Sequence, residues 1–187
     1  MSSWSTVKTM RTFAFDVEAR PGPWAGSEFT FRHMLSIAGV FEDDPENPIY
    51  LGPGFSARSL DRFVQSFKGS LVVTHNGPRY DLPFLNGTLI RMGLDPIRNV
   101  LLSDTYAHIP KRGSAFSASL GNMAQRFEVE HQKGSMSEVD WDHAYHNKAE
   151  ALDKLRTYNI GDCLTTLALR RKLLELGILG HPRTWHG

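Results

Sequence analysis

An α/β domain with a mixed central β-sheet is the fold class that this sequence predicts. Three strand-like segments come first, in succession, as a hairpin-connected sheet would arrange them; later strands then alternate with helices, as strand–helix units do. The 187 residues are 41% hydrophobic and 11% aromatic, enough to bury one substantial core. No internal repeat or low-complexity linker interrupts the chain. Residues 1–187 therefore read as a single domain, with 1–10 and 178–187 as terminal tails.

Each element follows from local pattern. In Thr12–Glu18, Phe13, Phe15 and Val17 alternate with Ala14, Asp16 and Glu18, the two-residue period of a strand. The Pro/Gly stretch Pro21–Gly26 reads as a loop. A second strand is predicted from Arg32 to Phe41, a turn at Asp44–Pro48 and a short third strand at Ile49–Leu51. Leu60, Phe63, Val64 and Phe67 recur at helical spacing within Ser56–Phe67, where Ser56 or Ser59 can cap. Ser70–Thr74 is a fourth strand that runs into a turn at His75–Pro78. A helix follows over Asp81–Met92 and stops at Gly93. Val100–Leu102 is a short strand ending in Ser103 and Asp104. Ser117–Phe127 is a helix with Leu120, Met123, Ala124 and Phe127 on one face. Glu128–Asp142 is polar and carries no assignable element. Lys148–Leu176 is one long helix closed by Gly177. Gly161 inside it costs about 1 kcal/mol relative to Ala, which points to a bend or a close packing contact there.

Charge and cysteine content narrow the function classes. Lys plus Arg number 21 against 20 Asp plus Glu, a net charge of +1, which excludes a basic nucleic-acid coat and a highly charged disordered chain. The single cysteine, Cys163, excludes an intrachain disulfide and fits a reducing compartment, so a cytoplasmic location is expected. No apolar run approaches the roughly 20 residues of a membrane span, and the N-terminus lacks the apolar stretch of a secretion signal.

Four acidic positions stand out by context. Asp16 and Glu18 lie two apart on an otherwise apolar strand, so both project to one face. Two adjacent carboxylates there are costly unless a divalent cation compensates them or the face is solvated. Spacing alone does not decide, because Asp44 and Glu46 share it within a stretch that reads as a turn. Asp81 follows a buried-looking strand and a turn, and opens a helix. That is where α/β sheets build sites and also where a helix dipole favours an acid. Tyr158 and Asp162 are four apart on the long helix and share a face with Leu155, which fits either a site or a buried hydrogen-bonded pair.

Taken in order, these residues resemble the three motifs of the DEDD, or DnaQ-like, 3′–5′ exonuclease superfamily. Phe15-Asp16-Val17-Glu18 on the first strand resembles motif one. The stretch from Val73 to Leu85, a strand, an Asn76-containing turn and Asp81 starting a helix, resembles motif two. Tyr158-Asn159-Ile160-Gly161-Asp162 resembles motif three in its tyrosine form, since position 157 is Thr where the other subtype carries His. Each motif is short, but the ordered triple, each on its proper element, is specific. One departure is Ala19, where Asp-x-Glu is commonly followed by Thr.

The resemblance implies an RNase H-like three-layer fold, a mixed sheet flanked by helices, and the tyrosine (DEDDy) subtype. It implies two divalent ions, Mg²⁺ or Mn²⁺, held by Asp16, Glu18, Asp81 and Asp162, with Tyr158 orienting the attacking water. Carboxylates suit such hard cations, and a tyrosine with an ordinary pKa near 10 is a poor base at neutral pH. Asn76, Ala19 and Phe84 are the implied substrate contacts. The implied reaction releases nucleoside 5′-monophosphates from the 3′ end of single-stranded DNA, with a DNA polymerase or other replication protein as a partner. An exoribonuclease and a catalytically silent nucleic-acid-binding or polymerase-tethering module are the alternatives, and intact carboxylates argue against the second.

Other candidates read more plainly. Asp104 caps a strand end or supports the site from behind. The pair His143-x-x-His146 lacks a third ligand at zinc spacing and reads as surface. Cys163 reads as a packing residue. Arg170-Arg171-Lys172 is either a solvated helix end or a phosphate track. The 14 Arg against 7 Lys suit phosphate clamping, and Trp24 or Phe84 has the shape to wedge terminal bases, with core packing the readier role for Phe84.

Overall fold

The first strand is central because its two faces bury different things. Phe13, Phe15, Val17 and Ala19 face one helical layer, and Ala14, Asp16 and Glu18 face the other. The computed structural model describes residues 10–19, 34–107, 117–131 and 134–187. Among them, β1 (Arg11–Ala19), β2 (Met34–Phe41) and β3 (Asp44–Leu51) form an antiparallel meander. Then come α1 (Ala57–Val64), a 3-10 turn (Gln65–Phe67), β4 (Ser70–Thr74), α2 (Asp81–Arg91) and β5 (Val100–Asp104). The chain continues with α3 (Leu120–Arg126), α4 (Glu138–Tyr145), α5 (Ala149–Glu175) and β6 (Arg183–Trp185). The six-stranded sheet has the order β3-β2-β1-β4-β5-β6. β1–β4 and β4–β5 are parallel and the other pairs antiparallel, the predicted mixed sheet in an RNase H-like arrangement.

The layers follow from side-chain size. On one face, Leu60, Phe63, Phe67, Leu82, Leu85 and Leu89 pack onto the odd-numbered β1 residues and form the main core. On the other, Ala14, Ala38 and Val73 are small or short and admit Cys163 and Leu167 of α5. Between Glu18 and Ala19 the register slips. Ser36 stands opposite Glu18 and Met34 opposite Ala19, leaving Leu35 as the extra residue, and it packs against α4 and α5 residues instead.

Several expectations need correction. The turn between β2 and β3 is at Glu42–Asp43, and Asp44–Pro48 belongs to a strand. β3 is an edge strand, so Pro45 and Pro48 interrupt no inner ladder and instead blunt the edge. α3 begins at Leu120 because Ser119 caps it, its side chain accepting the Asn122 N–H. The polar stretch after Glu128 holds α4, opened by a reciprocal Ser137–Asp140 capping box. Within the expected C-terminal tail, Arg183–Trp185 pairs antiparallel with β5. Beyond the backbone of α5 itself and the neighbouring residues, no described atom lies within 4 Å of where a Gly161 Cβ would stand, and α5 runs through it without interruption, so the anticipated tight contact is absent among the described residues. Gly177 does close α5, at φ 64°, with the Ile178 N–H returning to the Leu173 carbonyl at 2.9 Å. The predicted Pro21–Gly26 loop with Trp24, the residues Arg32 and His33, and nearly all of the 1–10 tail lie outside the described residues. None of the described helices is long and apolar enough to cross a membrane.

Candidate active site

β1 delivers Asp16 and Glu18 to the α5 side of the sheet, beyond the point where Ala14 lets the helix approach. α5 meets them with Asp162, 1% exposed. Carboxylate oxygens of Asp16, Glu18 and Asp162 lie within 4.8 Å of one another. Asp81 enters from the first residue of α2. It is buried, and its Oδ1 accepts the Val17 backbone N–H at 3.1 Å. Burial pushes its carboxyl up to about 7; the charges of Asp104 and Asp162 push the same way, against the pull of the backbone N–H bonds. The Cys163 thiol reports the same convergence: burial raises its pKa first, and Asp16, Asp162, Asp81 and Glu18 all raise it further.

The turn after β4 shapes the opening. Asn76 adopts φ 71° and donates its N–H to Asp104 Oδ1 at 2.8 Å; the Tyr106 N–H reaches the same oxygen at 3.1 Å. Next in the turn, Gly77 packs so tightly on Thr74 that a Cβ would stand 2.5 Å from its side chain. His75 ties β4 to the segment before α3. Its Nε2–H donates to the Ala118 carbonyl at 2.8 Å, and Nδ1 pairs with the Thr105 hydroxyl at 2.8 Å. A cleft of about 220 Å³ results, walled by Asp16, Asp162, His75, Asn76, Tyr106 and residues 118–120. A larger hollow of about 560 Å³ lies between α1 and residues 93–100, but none of the four carboxylates lines it, so its chemistry does not match.

The structure brings the predicted residues together unequally. Asp16, Glu18 and Asp162 form one cluster, and Asp81 stands against it. Tyr158 lies one turn before Asp162 on α5, its ring 5.7 Å edge-on from Trp141 of α4. Asn76 lines the cleft. Ala19 is 6% exposed and turns its methyl into the main core, so only its backbone is available to a substrate. Phe84 is 4% exposed, packs in the same core and stacks on Tyr80 at 6.0 Å. Its ring has no face for a base, and the expected substrate contact gives way to packing.

The remaining candidates are also placed. Arg170 and Arg171 stand within ion-pair reach of Glu42, and Lys172 of Glu175, so carboxylates accompany the basic run on and beside α5. His143 and His146 are exposed on α4 and after it. Asp104 orders the turn and acts on Asp81 electrostatically, the supporting role considered for it. The sequence reading missed Ser36, Asn159, His75 and Thr105. The available signal was polar residues within apolar or motif-bearing segments.

Fold and site together define a class of α/β domain with an acidic cluster on the central strand of a mixed sheet, completed from α5. A profile of the RNase_H superfamily matches residues 33–174, and the chain belongs to that superfamily. This membership supports a nuclease. Among curated proteins the chain is similar to the DNA polymerase III PolC-type of Ureaplasma parvum serovar 3, 29% identical over 84 residues, 45% of this chain and 6% of that one. Among solved structures it resembles the family B DNA polymerase of the hyperthermophilic archaeon Pyrobaculum calidifontis, with a TM-score of 0.66 at 19% identity. That match covers 90% of this chain and 25% of the polymerase, and it bears on the fold. The chain thus spans only a small part of either relative.

RNase H-like nucleases use divalent metals, and the donor set fits one. Three all-oxygen donors within 4.8 Å, with a fourth carboxyl raised to about 7 beside them, suit a hard cation and no soft one.

Proposed function

We propose that residues 1–187 form a metal-dependent 3′–5′ exonuclease domain of the tyrosine (DEDDy) subtype. It shortens single-stranded DNA from its 3′ end and releases nucleoside 5′-monophosphates. The observation that carries this reading is the convergence of Asp16, Glu18 and Asp162 within 4.8 Å, two of them lining a cleft, with the buried Asp81 carboxyl raised to about 7. The four carboxylates would hold two Mg²⁺ or Mn²⁺ ions, which when bound supply an activated water and charge stabilisation for the leaving 3′ oxygen. Tyr158 orients the attacking water through its hydroxyl. Asn76 and the Ala19 backbone contact the terminal nucleotide, and the His75 clamp keeps residues 118–120 against the opening. The domain works beside a DNA polymerase. The two polymerase relatives support that partner, each far longer than this chain.

A single strand labelled at its 5′ end, incubated with Mg²⁺ or Mn²⁺, should give a descending ladder that slows when the 3′ hydroxyl is phosphorylated. Rapid cutting of a circular single strand would show an endonuclease and end this reading. A matched RNA oligomer degraded faster than the DNA would move the substrate to RNA.

A further inference from the structure

The described part of β2 is apolar apart from Ser36 and Gly39, and Ser36 is 0% exposed. α5 buries a second polar side chain beside it, Asn159, also 0% exposed. The two are joined: Ser36 Oγ donates to Asn159 Oδ1 at 3.0 Å. The other end of the carboxamide, Nδ2, donates to Asp16 Oδ2 at 2.7 Å and to the Asp16 carbonyl at 3.2 Å. Resting on the metal-dependent reading above, we propose that Asn159 is a positioning residue for Asp16, and that Ser36 sets which way its carboxamide points.

The two ends of a carboxamide are chemically opposite. The Ser36 hydrogen can be accepted only at Oδ1, which turns both Nδ2 hydrogens toward Asp16. A hydrogen bond to each of the Asp16 carbonyl and carboxylate fixes the side chain against its own backbone, so the carboxylate cannot rotate away from Glu18 and Asp162. Packing alone does not call for this pair, because two buried polar partners can be replaced by apolar groups of similar shape at little cost. Aspartate at 159 would set a carboxylate 2.7 Å from Asp16 Oδ2. Asn159 also sits three residues before Asp162 on the same helix, so one rigid element supplies a ligand and holds another.

Calorimetric Mn²⁺ binding to wild type, Asn159→Leu and Ser36→Ala, with melting of each metal-free protein, tests this. Asn159→Leu keeps the size and removes the donor; its Mn²⁺ affinity should fall about 10- to 100-fold. Ser36→Ala leaves the donor but releases its orientation, and affinity should fall about two- to tenfold. A purely structural pair would lower the melting temperatures and leave Mn²⁺ affinity unchanged at temperatures where the proteins are folded. Affinity within twofold of wild type in both variants overturns the proposal. Should Asn159→Leu not fold, the same result in Ser36→Ala overturns it. Absence of Mn²⁺ binding in wild type would instead overturn the metal-dependent reading itself, and the positioning role with it.

Discussion

Asp81 accepts the backbone N–H of Val17, the residue that stands between the two carboxylates of β1, at 3.1 Å. The helix that opens with Asp81 is thereby registered on the strand that carries Asp16 and Glu18. Burial raises the Asp81 carboxyl to about 7 from an ordinary value near 4; the Val17 bond pulls it down, and the charges of Asp104 and Asp162 push it up further.

That shift has a sign. Between about pH 4 and pH 7 the folded protein keeps a proton on Asp81 that the unfolded chain has released. The stability of the metal-free protein therefore falls as pH rises through this window. Thermal melts in chelator should show wild type losing stability relative to Asp81→Asn from pH 4.5 to 7.5. Parallel pH profiles for the two proteins would refute the assignment. Saturating Mn²⁺ should flatten the wild-type slope.

Divalent ions should raise the melting temperature, since clustered carboxylates repel until a cation compensates them. Asp162→Asn removes one charge from the cluster without changing its shape. It should abolish activity and raise the metal-free melting temperature, by about 2–4 °C for each kcal/mol of repulsion relieved. Cleavage that persists undiminished in EDTA would contradict a metal-dependent reaction.

Tyr158→Phe retains the ring that meets Trp141, so folding should be little changed. If the hydroxyl holds the proposed water-positioning role, its loss should lower turnover by about ten- to a thousand-fold, with the Michaelis constant and Mn²⁺ affinity preserved. Wild-type turnover would reduce Tyr158 to a packing residue.

Much of this arrangement was legible because its signals are local. The alternation in β1 spans seven residues and fixes which side chains share a face. The Tyr158–Asp162 spacing fits within one helical turn. What escaped depended on neighbours distant in sequence. Pro45 and Pro48 read as a turn because nothing local says that β3 is an edge strand. Arg183–Trp185 is a strand only because β5 offers a partner. Phe84 reads from sequence as either a substrate contact or, more readily, a core residue, and α2 turns it into the core beside Tyr80. The Ser36–Asn159–Asp16 chain joins residues 123 and 143 positions apart, and no window of sequence reveals it. α4 is different, since its Ser137–Asp140 capping box was present in the sequence and went unread.

Gly39 pairs with Phe15 beside Asp16, but its Cβ direction faces the Phe13–Phe63 core on the other side of the sheet, so it serves as a packing control. A Cβ there would stand 2.2 Å from Phe13 Cζ and 3.0 Å from Phe63 Cζ, and Phe13 is fully buried. Gly39→Ala should lower stability by about 1–3 kcal/mol through overpacking, read by urea denaturation, and leave Mn²⁺ affinity intact. Unchanged stability would mean that the Phe13 ring has room to move aside.

The dependence of the cleft on α5 has a consequence for how the protein is made. Asp16, Glu18 and Asp81 all leave the ribosome well before Asp162. The helix that brings Asp162 also brings Asn159 and closes one face of the sheet through Cys163 and Leu167. Bringing positions 16 and 159 together closes a loop of most of the domain, an entropic cost repaid only when α5 docks. A nascent chain, or one truncated before position 162, therefore holds three acids and no assembled cluster. On the proposed reading, hydrolytic competence would then arrive in a single late event, when α5 docks.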